Sequence, residues 1–333
     1  MDSKVTLAHG SGGAKSRELV EQLFRPAFEN PYLNPLTDSA LLRVPENIAM
    51  TTDSYVVRPL FFPGGDIGKL AVCGTMNDLA VSGAIPRFMS VGMILAYGLD
   101  MEVLRRIVES MAKTAREAGI QIVTGDTKVV EQNSADGIFI NTTGIGIYPE
   151  VNRILPQRIL EGDCIVASGN IASHGVSVMA ERNHLGFEPV IESDVASLFP
   201  LINILMSDRR VEIHAMRDPT RGGIASTLCE WANEGLDISI QESKLPIRKD
   251  VRAACKILGL DPIYIANEGV VLLSISKNST DLAISLLRQH PLGQNATVIG
   301  EVQCGRGKVI MQTPLGTFRR IYLPAGELLP RIC

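Results

Sequence analysis

The chain lacks several features that would settle its chemistry quickly. Its six cysteines (Cys73, Cys164, Cys229, Cys255, Cys304 and Cys333) include no CxxC pair, so zinc and iron–sulfur binding are excluded as working readings. Five histidines show no HExxH spacing. No apolar run reaches the roughly 20 residues that span a bilayer. There is no long basic run and the net charge is −4, which argues against nucleic acid as the main partner. Met1-Asp2-Ser3-Lys4 leads into a glycine loop where a signal peptide would have its apolar core, so the expected location is cytoplasmic. The familiar nucleotide motifs are missing too. Gly10 to Ser16 fails as a P-loop because Ala14 precedes Lys15, and Gly144-Ile145-Gly146 lacks the third glycine of a dinucleotide fingerprint.

What is present is enough apolar residue to build two domains: 45% hydrophobic and 20% charged over 333 residues. Periodicity predicts a helix from Ser16 to Glu29 with Ser16 as N-cap, and strands at Ser39–Val44 and Ile48–Thr52 joined by a turn at Pro45-Glu46. A small-residue helix over Ile67–Ser82, a strand at Phe88–Leu95, a helix over Met101–Ala118 and strands at Ile120–Thr124 and Gly137–Tyr148 complete the first half. The pattern loosens near Pro149–Arg158. Beyond it the reading is a strand at Cys164–Ala167, helices at His174–Asn183, Val195–Met206, Ile224–Asn233 and Leu282–Arg288, and strands at Ile238–Ile240, Val270–Ile275, Thr297–Val302, Lys308–Gln312 and Phe318–Tyr322. The fold class is therefore α/β of the α+β type, in two mixed-sheet halves. Four segments follow: 1–33, a glycine-loop arm and helix; 34–153; 154–323; and 324–333, a tail.

The tail reads Pro324-Ala325-Gly326-Glu327-Leu328-Leu329-Pro330-Arg331-Ile332-Cys333. Its prolines and glycine oppose helix and internal strand, so it is expected to be a mobile, extended arm with a thiol at its tip. At roughly 3.3 Å per residue it could sweep about 30 Å, enough to carry a covalently held group between sites. Arg331 is expected to favour the thiolate. Cys73, Cys164 and Cys229 read as small core residues, His174 and His214 as structural, and His9 as the histidine worth watching.

Three glycine loops precede helices: Gly10-Ser11-Gly12-Gly13, Pro63-Gly64-Gly65-Asp66 and Arg221-Gly222-Gly223. Such loops present free N–H groups and a positive dipole end, which suits phosphate, although most glycine pairs are simply turns. Four aspartates accompany them at predicted element ends: Asp53, Asp78, Asp126 and Asp218. Each alone could be a cap or turn residue; together with the loops they favour a metal–nucleotide site. Lys128 could neutralise a phosphate or be a solvated surface charge. Glu268, between Asn267 and Gly269 at the entry to an apolar strand, is a candidate general base, with a surface-turn glutamate as the competing reading.

Taken together, His9-Gly10-Ser11-Gly12-Gly13, the run Pro59 to Leu70, Asn77-Asp78-Leu79-Ala80-Val81-Ser82-Gly83-Ala84, Thr124-Gly125-Asp126-Thr127-Lys128-Val129-Val130, Arg217 to Gly223 and the terminal Pro330-Arg331-Ile332-Cys333 resemble the HypE family of hydrogenase maturation factors. These are carbamoyl dehydratases of the aminoimidazole ribonucleotide synthetase and selenophosphate synthetase superfamily. The resemblance implies a homodimer whose N-terminal domains pair into a β-barrel, with ATP and Mg²⁺ bound in a cleft involving that interface. It implies that Cys333 receives a carbamoyl group from the carbamoyltransferase HypF, that the S-carboxamide is dehydrated to a thiocyanate, and that cyanide passes to iron on the HypC–HypD complex. By the same resemblance, Asp53, Asp78, Asp126 and Asp218 hold metal and phosphates, and Gly10, Gly12, Gly13, Lys15, Asn77 and Thr127 border the nucleotide. Glu268 is the base, Lys128 its partner and Cys333 the carrier. Two rivals stand beside this reading: a synthetase of the same superfamily acting on a free small molecule, for which Cys333 would be unnecessary, and a non-catalytic scaffold that docks through its tail.

Overall fold

The computed structural model describes residues 3–10, 14–34, 40, 42–44, 47–131, 135–148, 154–324, 326, 329 and 331–333. A helical segment opens the chain: α1 (Ala14–Leu19), a π-turn at Val20–Phe24 and α2 (Arg25–Ala27). Ser16 lies inside α1 instead of capping it, and its hydroxyl reaches back to the Ala8 carbonyl at 3.2 Å. Four strands form the first sheet in the order β1-β6-β4-β5: β1 (Ile48–Tyr55), β4 (Ile85–Ala96), β5 (Gln121–Val130) and β6 (Ile138–Ile147). β1 alternates outward and inward along its length, so Thr51, Asp53 and Tyr55 face the core side while Met50, Thr52 and Ser54 face out. The short hairpin β2 (Phe61–Phe62) and β3 (Gly65–Asp66) then leads into α3 (Ile67–Val81).

α3 is apolar all round and buried all round, as that composition demands. It touches β1, β4, β6, the amphipathic α4 (Met101–Glu117) and, from the second half, α6 (Phe199–Ser207) and β8 (Ile213–Arg217). Its small residues permit this. A Cβ on Gly68 would lie 2.5 Å from the Ile107 carbonyl, and one on Gly74 would lie 2.4 Å from the Tyr55 hydroxyl.

The second sheet has the order β13-β12-β9-β11-β7-β10-β8, antiparallel except for β12 beside β9. Its strands are β7 (Cys164–Ala167), β8, β9 (Glu234–Gln241), β10 (Leu272–Ile275), β11 (Thr297–Arg306), β12 (Val309–Gln312) and β13 (Phe318–Ile321). Helices α5 (Ser173–Arg182), α6, α7 (Gly223–Trp231), α8 (Lys249–Leu258) and α9 (Thr280–Leu287) belong to this half. The expected mixed-sheet, two-half architecture is present.

Several predicted elements differ. Ala40 and residues 42–44 form no strand, and the Pro45-Glu46 turn lies outside the described residues. β5 continues through Asp126 to Val130, because β4 pairs with it over its whole length beyond a bulge at Met89/Ser90. Helix α6 starts at Phe199, not Val195, since residues 193–198 form an irregular strap whose backbone is held by other groups. β8 and α8 had no counterpart in the sequence reading. α8 has no side-chain N-cap, and its one strong signal is Gly259, left-handed at φ 68°, past its C-terminus. Among the described residues no helix is long and apolar enough to cross a membrane.

Candidate active site

Four carboxylates from different elements meet where α3 passes between the two sheets. Asp53 comes from β1, Asp78 from α3, Asp218 from the end of β8 and Glu268 from the loop before β10. Asp78 accepts from the Thr51 hydroxyl at 2.9 Å, and Asp53 from the Tyr55 hydroxyl at 3.2 Å. The space opened by Gly74 lets that hydroxyl also reach Thr75 at 3.1 Å. Burial, then the neighbouring Asp53, hold the Tyr55 phenol well above its ordinary range, so it is a fixed proton donor.

The carboxylates repel one another. Burial raises Asp53, and burial followed by the charge of Asp53 raises Asp78. Asp218 is pushed up to about 7, first by burial and then by Asp78. Glu268 is 2% exposed; burial, then Asp218, Asp194, Asp53 and Asp78, hold its carboxyl well above the carboxylate range. Such a site gains from a cation. Among the described residues no three His, Cys, Asp or Glu side chains form a ready-made metal cage. That donor set fits Mg²⁺ arriving with phosphates, since this ion takes one or two carboxylates and fills its shell with phosphate oxygens and water.

The loop carrying Glu268 is fastened from both sides. Asn267 is fully buried: its amide donates to Pro219 O at 2.8 Å and Ile265 O at 3.0 Å, and its oxygen accepts from Ala172 N at 2.6 Å. Asn77 donates to Ala196 O and Glu268 O and accepts from Leu198 N at 2.8 Å. Asp194, absent from the sequence reading, accepts from Glu268 N at 3.1 Å and Gly269 N at 2.9 Å. Its other oxygen is enclosed without a partner, and burial pushes its carboxyl up to about 6. Nothing in the sequence around Asp194 distinguished it from a loop aspartate.

The chain end docks beside this cluster. Val56 N donates to Cys333 O at 3.2 Å and Arg58 N to Arg331 O at 3.3 Å, continuing β1 in an antiparallel sense. Arg331 is left-handed at φ 55°; its Nε donates to Val56 O at 3.0 Å and its guanidinium pairs with Asp136 over the Phe139 ring. Arg331 therefore serves as an anchor for the docked tail. Ile332 is buried, and its carbonyl lies 3.0 Å from His174 Nε2. A cavity of about 440 Å³, bordered by Ser54, Arg221, Gly222, Ala266 and Cys333, lies along the docked tail.

Asp126 and Lys128 are not in this cluster. They pair with each other at 3.3 Å on β5, the opposite edge of the sheet from β1, and on its outward face, whereas Asp53 points inward. Three strand spacings of about 4.8 Å separate the edges. Both residues, with Thr127, border a second cavity of about 340 Å³ beneath α1, alongside His9 and Phe24. Lys15 pairs with Glu18 at 3.0 Å. His9 Nδ1 is engaged by Thr6 N at 3.0 Å, a local turn role. Gly10 ends a 3₁₀ turn, while Gly12 and Gly13 lie outside the described residues. The second glycine loop does not offer free N–H groups. Asp66 caps α3 by accepting from Gly68 N and Lys69 N, and a Cβ on Gly64 would meet Ser193 O at 2.7 Å. These glycines admit the 193–198 strap.

Residues 36–148 match the AIR synthase related protein, N-terminal domain family, and residues 161–312 its C-terminal domain counterpart. The chain is 44% identical to a carbamoyl dehydratase HypE of Azotobacter vinelandii, covering 100% of this chain and 98% of that protein. It superposes with a TM-score of 0.95 and 45% identity on hydrogenase maturation protein HypE in complex with ATP, covering 98% of this chain and 99% of that one. A chain of a solved HypE–HypF complex matches with a TM-score of 0.80 and 44% identity, over 94% of this chain and 100% of that one. Carried by two domain matches and by 44% identity over the full length of this chain, the chain belongs to the HypE family of carbamoyl dehydratases.

Proposed function

We propose that this enzyme dehydrates an S-carboxamide carried on its own Cys333, with Glu268 as the base and ATP as the dehydrating agent. The observation that supports this most directly is the docked tail: Cys333 lies against Val56, just past the end of β1 and three residues from Asp53, and borders the same cavity as Ala266, two residues before Glu268. A free-substrate synthetase has no use for that arrangement, and a scaffold has no use for mutually repelling buried carboxylates.

An amide oxygen is a poor leaving group, so it is first phosphorylated: it attacks the γ-phosphorus of ATP, ADP departs, and one N–H proton is lost. Phosphoryl transfer needs positioning and charge neutralisation above all. Asp53, Asp78 and Asp218 would hold Mg²⁺, which supplies that neutralisation when bound. Glu268 then takes the remaining N–H proton as the C–O bond breaks and inorganic phosphate leaves, giving the thiocyanate. Its raised affinity for protons suits it to base catalysis near neutral pH. The thiocyanate is the cyanide source for the iron centre of [NiFe]-hydrogenase.

Asp126 and Lys128 would reach this chemistry from a second copy. Among the described residues the sheet ends at β1 and β5, and it exposes Ile48, Met50 and Ile94. Pairing two sheets edge to edge, as a homodimeric barrel, would bring one copy's β5 to the other's β1. The cavity beneath α1 would then take the nucleoside, with Thr127 and Lys128 at its rim and the phosphates pointing to the partner's carboxylates. HypF is the proposed donor of the carbamoyl group, HypC–HypD the proposed acceptor of cyanide, and release of the tail from its groove the proposed link between them.

Intact-mass measurement tests this. With carbamoyl phosphate, Mg²⁺-ATP and the carbamoyltransferase, Cys333 should gain a carbamoyl group and then lose one water. The Cys333→Ala variant should gain nothing while still binding ATP. Modification elsewhere in that variant would remove the carrier role.

A further inference from the structure

The strap between β-hairpin and helix carries two adjacent side chains, each fixing one of the two parts that must meet in the reaction. Ser193 lies on the tail side. Its hydroxyl accepts from Val195 N at 3.1 Å and lies 2.8 Å from His174 Nδ1. His174 is fully buried, and burial lowers its imidazole to about 4, so the ring is neutral at pH 7. The Ile332 carbonyl can only accept, so Nε2 carries the ring proton and Nδ1 must accept from Ser193. The direction of every bond in the chain Val195 N–H, Ser193 O–H, His174 Nε2–H, Ile332 C=O is thereby determined.

Asp194 lies on the base side. One oxygen holds the N–H groups of Glu268 and Gly269, and a Cβ on Gly269 would meet Asp194 O at 1.8 Å, so the two backbones are in contact. The strap itself is pinned to the first half: Ser193 N donates to Pro63 O at 2.8 Å, Ser177 Oγ to the same carbonyl at 3.0 Å, and Asn77 holds Ala196 and Leu198.

We infer that Ser193 and Asp194 are positioning residues for the dehydration: Ser193 sets, through His174, how far the tail slides along β1, and Asp194 sets where Glu268 stands, so that one rigid strap indexes the thiol-borne carboxamide against its base. This rests on the dehydratase reading above. Neither residue touches the reacting atoms. Each acts on the placement of a group that does, and a misplacement near 1 Å can cost about 100-fold in rate.

The test bypasses the transferase. Potassium cyanate converts Cys333 to the S-carboxamide, and water loss on adding Mg²⁺-ATP is followed by intact mass in a single turnover. Asp194→Asn should slow that step by about 100-fold, with the KM for ATP within twofold of wild type and the melting temperature little changed. Ser193→Ala frees the other His174 tautomer, which cannot donate to Ile332; it should slow the step by about tenfold and speed labelling of uncharged Cys333 by a maleimide several-fold. If Asp194→Asn does not fold, Ser193→Ala alone decides. Wild-type single-turnover rates in the folded variants, or a rate loss matched by an equal rise in the KM for ATP, would overturn the positioning roles while leaving the dehydratase intact. Charged wild-type protein that loses no water would instead remove the dehydratase reading itself, and this inference with it.

Discussion

Glu268 shows how a single side chain acquires a task from its surroundings. In solvent it would ionise near its ordinary value; here burial, then four acidic neighbours, raise its affinity for a proton. Replacing it with Gln keeps the shape and removes the proton acceptor. Glu268→Gln should still receive the carbamoyl group on Cys333 yet lose water about 10²–10⁴-fold more slowly, the range typical of general-base catalysis. Normal thiocyanate formation in that variant, seen by intact mass, would exclude Glu268 as the base. Asp78→Asn is a separate case. It retains an acceptor for Thr51 but removes one charge that would face the cation, so Mg²⁺-ATP affinity should fall, as measured by titration calorimetry. An unchanged affinity would reassign Asp78 to structure.

At the scale of elements, the docked tail depends on a few polar anchors. The Arg331–Asp136 pair is partly exposed, and pairs of that kind contribute about 0.2–1 kcal/mol. Asp136→Asn should therefore raise the maleimide labelling rate of Cys333 by a factor of about two to five, an effect that shrinks in high salt. Gly74 is a different kind of dependence. Gly74→Ala pushes a methyl group against the Tyr55 hydroxyl and should cost about 1–3 kcal/mol through overpacking, read as a lower melting temperature.

Much at this scale was legible in the sequence. The sequence places a strand at Ile48–Thr52 and a small-residue helix at Ile67–Ser82, and the fold has β1 at Ile48–Tyr55 and α3 at Ile67–Val81. Asp78, Asp126 and Asp218 lie in the family motifs, and Asp53 and Glu268 are assigned by resemblance; the fold brings all of these together except Asp126. The reading failed where tertiary partners override local pattern. Residues 195–198 read as helix, but the Asn77 side chain takes the Ala196 carbonyl and the Leu198 N–H. Gly64-Gly65 read as a phosphate loop, but they make room for the strap. Gly125-Asp126-Thr127 read as a strand end, but β4 carries the ladder through them. Asp194 and Ser193 had no local signature, because their importance lies in what they reach across the fold.

For the whole molecule, the buried ionisable groups oppose one another in pH. Asp194 and Asp218, raised to about 6 and about 7, bind protons more tightly folded than unfolded, so their contribution falls as pH rises from about 4 toward 7. His174, lowered to about 4, acts in the other direction: its penalty grows as pH falls from about 6.5 toward 4. A cation that settles among the carboxylates relieves the first effect and not the second. Added Mg²⁺ and nucleotide should therefore raise the melting temperature more at pH 8 than at pH 5.5. An equal shift at both would mean that the ion binds elsewhere.

The burial of α3 on every face sets how this enzyme can move. A helix in contact with strands of both sheets and with α4 and α6 ties the two halves through one buried element, so swinging them apart would expose its apolar surface. On the proposed carrier reading, the carboxylates would act as a fixed jig and the workpiece would travel on the ten-residue tail. The consequence would be a division of labour in time: the pace of the cycle would be set by how often the tether leaves and re-enters its slot, and by who meets it outside, while the site that does the chemistry stays still.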